Sequence, residues 1–330
     1  MTTPLDAPTA VRAGEELDAA ALAAYLGGTV PGLDGLRAEE IGVEQFGSGF
    51  SNLTYLVRAR DAEYVLRRPP FGVAGGTAAH DVARECRILT ALAPAYPKVP
   101  RTVACCDDAS VLGAPFYVME RVRGTILRGA GDGRAVGEAG MHRLADAFVS
   151  EMAAIHAVDW GAAGLATLGR PEGYVACQVA GWTRRWAAAR TGDVPDVERA
   201  AAWLAERQPP ERGASLIHND FKYDNLVLDP DDPGRVRAVL DWEMATVGDP
   251  LMDLGTTLGY WVQADDPPEL RALGLGITAL PGTPTREALV ARYAAATGRD
   301  VSDAVFYYVF GLFKLAVVAQ QIYARWAKGL

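Results

Sequence analysis

The 330-residue chain is half hydrophobic and 22% charged, with 35 glycines and 20 prolines, a composition that can build a sizeable core and excludes a disordered chain. Its net charge of −9 and pI of about 5.1 exclude a protein whose main business is the phosphate backbone of DNA or RNA, while leaving room for a local basic pocket. The length suits one large domain or two lobes, and two lobes is the starting expectation.

Residues 16–26 carry Leu17, Ala20, Ala21, Ala24 and Tyr25 at helical spacing and stop at Gly27-Gly28, predicting a short amphipathic helix at the edge of a first lobe. The first thirty residues hold Asp6, Glu15, Glu16 and Asp18 and no continuous apolar run, so no secretory or transit leader is expected. Residues 41–46, 53–60 and 63–68, separated by Gly47-Ser48-Gly49 and Asp61-Ala62, predict an antiparallel meander. Pro69-Pro70 ends it, a loop runs to Gly76, and Val82, Ile88, Leu89 and Leu92 place a helix over 80–92. Residues 111–122, with Pro115 at a turn, predict two more strands, and the glycine-rich stretch 124–140 a connector. The lobe boundary is therefore expected near Arg123, giving lobes of residues 1–122 and 123–330.

Helical spacing over 141–157, 174–190, 197–207 and 286–328 makes the second lobe mainly α, so the chain reads as an α+β fold. Residues 304–319 are the best candidate for a membrane span, but the run is short and contains Lys314, which predicts a buried helix and no membrane partner. Cys86, Cys105, Cys106 and Cys177 form no CxxC pair and no zinc spacing with the four histidines, and read as reduced, mostly buried thiols of a cytoplasmic protein.

The chemistry is concentrated between Ser215 and Gly255. Apolar runs at 226–228 and 236–240 flank the turn Asp229-Pro230-Asp231-Asp232-Pro233-Gly234, a strong hairpin signal. Asn225 lies just before the first strand and Asp241 just after the second, so folding the hairpin should bring both to its open end, with Asp220 on the loop leading in. Two carboxylates and an amide oxygen suit a hard cation such as Mg²⁺, which shares its oxygen ligands with substrate phosphates. Phosphoryl transfer needs that cation and an acceptor for the proton of the attacking hydroxyl.

His218-Asn219-Asp220 with Asn225, followed by Asp241-Trp242, Gly248-Asp249-Pro250 and Asp253-Leu254, closely resembles the aminoglycoside and choline kinase superfamily, a relative of the protein kinases. Ser51-Asn52-x-Thr54-Tyr55, Val65-Leu66-Arg67-Arg68-Pro69-Pro70 and Leu240-Asp241-Trp242-Glu243 are similar to the branch that forms the kinase-like part of certain acyl-CoA dehydrogenase fusions. The resemblance implies a protein-kinase-like two-lobe fold, with Asp220 as catalytic base, His218 bracing its loop, and Asn225 and Asp241 holding Mg²⁺. Asp249 and Asp253 are then structural, capping or hydrogen-bonding the segment that follows them.

Gly47-Ser48-Gly49 with Ser51 and Asn52 lies between two predicted strands, where glycines admit phosphates to backbone N–H groups. Asn52 stands where a protein kinase has its third glycine, so Ser48, Ser51 or Asn52 is a candidate to bind phosphate through its side chain. Arg67 occupies the place where the resembling kinases carry a phosphate-gripping lysine, and Arg68 replaces it if the strand register slips by one. Glu85 fits the ion-pair partner of that cation, the alternative being a surface glutamate paired with Arg84 or Arg87. Met119, Glu120 and Val122 fall where the related kinases bind adenine through the backbone. His156 and the tryptophans at 160, 182, 186, 242 and 261 read as core residues.

The expected function is transfer of the γ-phosphate of ATP or GTP to a hydroxyl of a small metabolite. The rivals are an aminoglycoside phosphotransferase, a nucleotide-binding pseudokinase and a metal-dependent phosphohydrolase. Residues 174–190 and 251–263, expected beside the acceptor, offer Arg184, Arg185 and Arg190 against the single carboxylate of Asp253, so an apolar or anionic acceptor such as a hydroxyacyl thioester is favoured over a polycation.

Overall fold

The computed structural model describes residues 7–47, 52–72, 81–273 and 276–329. The chain divides into two compact units, one of Met1–Ile126, Leu226–Pro230 and Arg237–Met244, the other of Leu127–Asn225, Asp231–Val236 and Ala245–Leu330.

The first unit is built on an antiparallel sheet of β1 (Ile41–Gln45), β2 (Leu53–Ala59), β3 (Ala62–Arg68), β4 (Thr102–Cys106) and β5 (Phe116–Glu120), ordered β1-β2-β3-β5-β4. Alternation on β2 sends Leu53, Tyr55, Val57 and Ala59 into a core closed by Leu22 and Leu26 of α1 (Ala19–Thr29), whose first turn is capped by Asp18. Asp81 caps α2 (Val82–Leu92) by accepting from the Arg84 N–H, and α2 packs on β4 and β5. Strands Leu226–Leu228 and Val236–Val239 pair as the expected hairpin. Its side chains Val227 and Ala238 pack with Val122 and Ile126.

The strand pair expected over 111–122 is corrected here. Residues 109–112 form a one-turn helix, α3 (Ala109–Leu112), started by the Asp108 cap and stopped by Gly113 at φ 82°. Only β5 comes from that stretch, and the second strand is β4, an edge strand with irregular burial that gives little periodic signal. Cys86 of α2 and Cys105 of β4 form a disulfide, and Cys177 is exposed, so the reading of the cysteines as reduced and mostly buried fails for three of the four. Packing α2 against β4 brings the pair together across a sequence separation of 19, which spacing rules do not anticipate.

The second unit is mainly helical: α4 (Ala130–His156), α5 (Tyr174–Ala189), α6 (Pro195–Glu206), α7 (Pro250–Tyr260), α8 (Pro268–Leu273), α9 (Arg286–Thr297) and α10 (Ala304–Ala327). Residues 130–140, expected as connector, are helical, with Gly137 (φ 74°) absorbing a break inside α4. The run 286–328 is two helices, because Gly298 ends α9 in the left-handed conformation. Among the described residues α10 is long and apolar enough by composition to cross a membrane, yet it lies along α7 with Lys314 buried. Gly255 and Gly259 of α7 and Gly311 of α10 set that crossing, since a Cβ at Gly255 or Gly311 would collide with the carbonyl of Tyr307 or Gly255. Strand Ser215–Ile217 pairs with Thr246–Gly248 and delivers the chain to His218.

Candidate active site

In the second unit the loop after Ser215–Ile217 turns sharply, with Asn219 at φ 65°, a left-handed conformation that asparagine tolerates better than most residues. Asp253 of α7 fixes the turn from below, its carboxylate accepting from the backbone N–H groups of His218 and Asn219, both at 2.7 Å, and meeting His156 Nε2 at 3.1 Å. Burial works to raise the Asp253 pKa, but the hydrogen bond and charge of His156, with the His218 N–H, hold it below the usual carboxylate range. Asp253 therefore ties back to the loop that begins at His218 and not to the segment after it, a correction to the expectation above. Asp249 does cap α7 by accepting from the Leu251 N–H, and its other oxygen accepts from the Tyr307 hydroxyl at 2.8 Å. His156 is a core histidine, its second nitrogen 2.7 Å from the Tyr293 hydroxyl.

His218 is fully buried, and its Nδ1 accepts from the Asp220 N–H at 3.3 Å. Accepting there places the proton of a neutral ring on Nε2. Asn225 donates from Nδ2 to the Asp220 carbonyl at 2.8 Å and to Asp220 Oδ2 at 3.0 Å. This fixes the amide orientation and leaves Asn225 Oδ1 outside both bonds. Asp220 Oδ2 also meets Lys222 Nζ at 3.2 Å, whereas Oδ1 accepts from no group among the described residues. Lys222 reaches Asp224 as well, at 3.6 Å, and burial raises the Asp224 pKa. Lys314 of α10 donates to the Asn219 carbonyl at 3.0 Å. Neither lysine was singled out from the sequence as a site residue; the position of Lys222 between Asp220 and Asn225 was the available signal. A separate cavity of about 180 Å³ in this unit is lined by Glu172, Tyr174, Glu211 and Asp249 among others, and residues 218–225 do not line it.

In the first unit, register puts Arg67 on β3 opposite Thr54 of β2 and Tyr117 of β5. Its guanidinium meets Glu85 Oε1 of α2 at 2.6 Å, Asp241 Oδ1 at 3.2 Å and Glu243 Oε2 at 3.3 Å. Burial opposes the charge of Arg67, but Glu85 and the neighbouring acidic groups hold its pKa well above the ordinary value. Glu85 is buried, not a surface partner of Arg84 or Arg87, and its Oε1 also accepts from the Trp242 N–H at 3.2 Å. Arg68 turns away, donating to the Pro69 carbonyl and lying 3.6 Å over the Phe71 ring, so the slipped register does not occur.

Asp241, a predicted site residue, has φ 67°, and strain of this kind, about 1–3 kcal/mol, persists where surrounding structure over-determines it. Asn52 donates to Glu243 Oε2 at 2.9 Å, so its amide and Glu243 both belong to the arginine cluster. Gly47 sits in an exposed bend after β1; Ser48, Gly49 and Ser51 lie outside the described residues. Met119 and Glu120 close β5, Glu120 through its N–H to the Arg101 carbonyl, and Val122 packs beside the hairpin.

Residues 42–292 match the model of the phosphotransferase enzyme family. The chain is 36% identical over 328 residues to acyl-CoA dehydrogenase family member 11 of Gallus gallus, covering 97% of this chain and 41% of that protein. It thus spans less than half the length of the curated relatives it matches. A solved Ralstonia eutropha protein of aminoglycoside-phosphotransferase type is similar at 32% identity and a TM-score of 0.79, over 95% of this chain and 91% of that one. Choline kinase of Cryptosporidium parvum shares the fold at 13% identity and a TM-score of 0.56, over 94% and 96% of the two chains.

Proposed function

Because this chain belongs to the phosphotransferase enzyme family, whose members pass phosphate to hydroxyl groups, we propose that it transfers the γ-phosphate of ATP or GTP to a hydroxyl of a small metabolite, a hydroxyacyl thioester in preference to an aminoglycoside. The observation that carries the reading is the state of Asp220: Oδ2 is pinned by Asn225 and Lys222, and Oδ1 is left to accept a proton. A base fixed in this way contributes on the order of 10² to 10⁴ in rate when it takes the proton of the attacking hydroxyl. His218 and Asp253 act through the backbone, holding the turn that aims Asp220.

Asn225 Oδ1, which stands outside both bonds of its amide, is the oxygen that the second unit would offer to Mg²⁺, and the Asp241 carboxylate the one that the first unit would offer; a bound cation would neutralise charge on the phosphates. Asp241 already meets Arg67, whose charge Glu85 secures, and a guanidinium forks onto two phosphate oxygens. Gly47, Ser48, Gly49, Ser51 and Asn52 are the proposed phosphate loop, and Met119, Glu120 and Val122 the proposed adenine-binding stretch. The thioester preference is supported by the names of the relatives and by the arginines of α5, which suit an anionic body better than a polycation. Nucleotide consumption with mass detection tests both levels: phosphorylation of a hydroxyacyl-CoA panel above kanamycin is expected. Robust kanamycin turnover with none on thioesters would reverse the preference, and no turnover on any hydroxyl would reject the kinase reading.

A further inference from the structure

Lys314 sits mid-way along α10 and is 7% exposed. Burying an ammonium costs several kcal/mol, and a methionine would fill the same space without that cost. One of its three N–H bonds goes to the Asn219 carbonyl at 3.0 Å; the other two donate to no described residue. The nearest aromatic face is Trp182 of α5, whose ring centroid is 5.8 Å from Nζ and 4.6 Å from the guanidinium of Arg185.

The opposite charges nearby are Asp220 and Asp253, and the like charges Arg185 and Lys222. Asp253 is already taken by two backbone N–H groups and His156, and one oxygen of Asp220 by Asn225 and Lys222. Burial outweighs what these carboxylates return, and the Lys314 pKa lies below its ordinary value. The ammonium is thus under-compensated. Its bond to the carbonyl preceding Asp220, whose carboxylate is also the first of the opposite charges acting on it, seats the ammonium against the loop that carries Asp220.

We propose that Lys314 is a specificity residue for the phosphate acceptor, giving its remaining N–H groups to a carbonyl or carboxylate oxygen carried by the acceptor near its reacting hydroxyl. The inference rests on the reading of Asp220 as base for its position, but not for its test. Arg185, exposed on the neighbouring indole, extends the same positive surface toward a longer anionic tail. A polycationic amine would meet Lys314, Lys222 and Arg185 with like charge, which disfavours it.

Calorimetric binding of 3-hydroxybutyryl-CoA, 4-hydroxybutyryl-CoA and the free hydroxy acids to the full chain tests this without turnover, on wild type, Lys314→Met, Lys314→Arg and Asp220→Asn. Removing one charge-assisted contact should weaken the best of these ligands about 10- to 100-fold in Lys314→Met. Lys314→Arg should recover most of the loss, Asp220→Asn should bind like wild type, and nucleotide affinity should be unchanged in all. Should Lys314→Met fail to keep the wild-type circular dichroism and melting profile, Lys314→Gln replaces it. Wild-type affinity in the folded, uncharged variant overturns the proposal, as does absence of binding by every one of these probes to wild type. A kinase reading that fails alone would appear instead as lysine-dependent binding without phosphoryl transfer.

Discussion

Replacing Asp253 with asparagine removes a buried charge while keeping the volume of the side chain. The carboxylate serves two backbone N–H donors at 2.7 Å and His156 at 3.1 Å. A carboxamide can accept one of those N–H groups, but its NH₂ then faces another donor. With hydrogen bonds to a charged group contributing about 1.5–3 kcal/mol each and a buried orphaned donor costing about 1–3 kcal/mol, Asp253→Asn should lose about 2–4 kcal/mol after partial relaxation. The pH dependence has a definite sign. The folded pKa of Asp253 is below its unfolded value of about 3.9, so its contribution is fully present above that value and is lost as pH falls through the folded pKa. Urea unfolding of both proteins should show a constant gap from pH 8 to 5 and a narrowing gap below about pH 4. Turnover should fall as well, since the same N–H groups aim Asp220. A gap under about 0.5 kcal/mol at pH 7, or one that widens in acid, would refute the reasoning.

Asp220→Asn should lower kcat by about 10² to 10⁴ while Mg·ATP affinity in calorimetry stays near wild type, because its amide still fills the loop. Asp241→Ala should weaken Mg²⁺-dependent nucleotide binding while circular dichroism and melting stay close to wild type, and unaltered Mg·ATP affinity would remove Asp241 from the metal site. Arg67→Ala and Glu85→Ala should be non-additive in nucleotide KM by about 0.5–3 kcal/mol in a double-mutant cycle, as expected for side chains 2.6 Å apart, and strict additivity would contradict the contact. Gly255→Ala and Gly311→Ala, which in an exposed helix would stabilise by about 0.5–1 kcal/mol, should instead lower Tm, since each Cβ would strike the backbone of the facing helix.

The hairpin and the loop before it were legible because their signals are local. Asp220 and Asn225 are five residues apart and hydrogen-bonded to each other, and the hairpin turn is written in Asp, Pro and Gly. The meander of β1 to β3 was readable for the same reason, alternation and turn residues being properties of neighbouring positions. Weak edge pairing hid β4, and two cap residues placed 111–112, expected as strand, at the end of α3. Which arginine meets Glu85 depended on a strand register that only packing against α2 resolved, since a one-residue slip exchanges the faces.

Asp253, Lys314, Glu243 and the Cys86–Cys105 pair acquire their partners from positions 19 to 191 residues away. No spacing rule reports such pairs, because a buried charge or thiol is matched by whichever element the core brings against it. The sequence alone thus determined the meander of β1 to β3, the hairpin, and the loop that carries Asp220 and Asn225. The tertiary structure decided which buried groups hold that loop in its strained turn, because the energy of a buried polar atom depends on its neighbours in space and not along the chain.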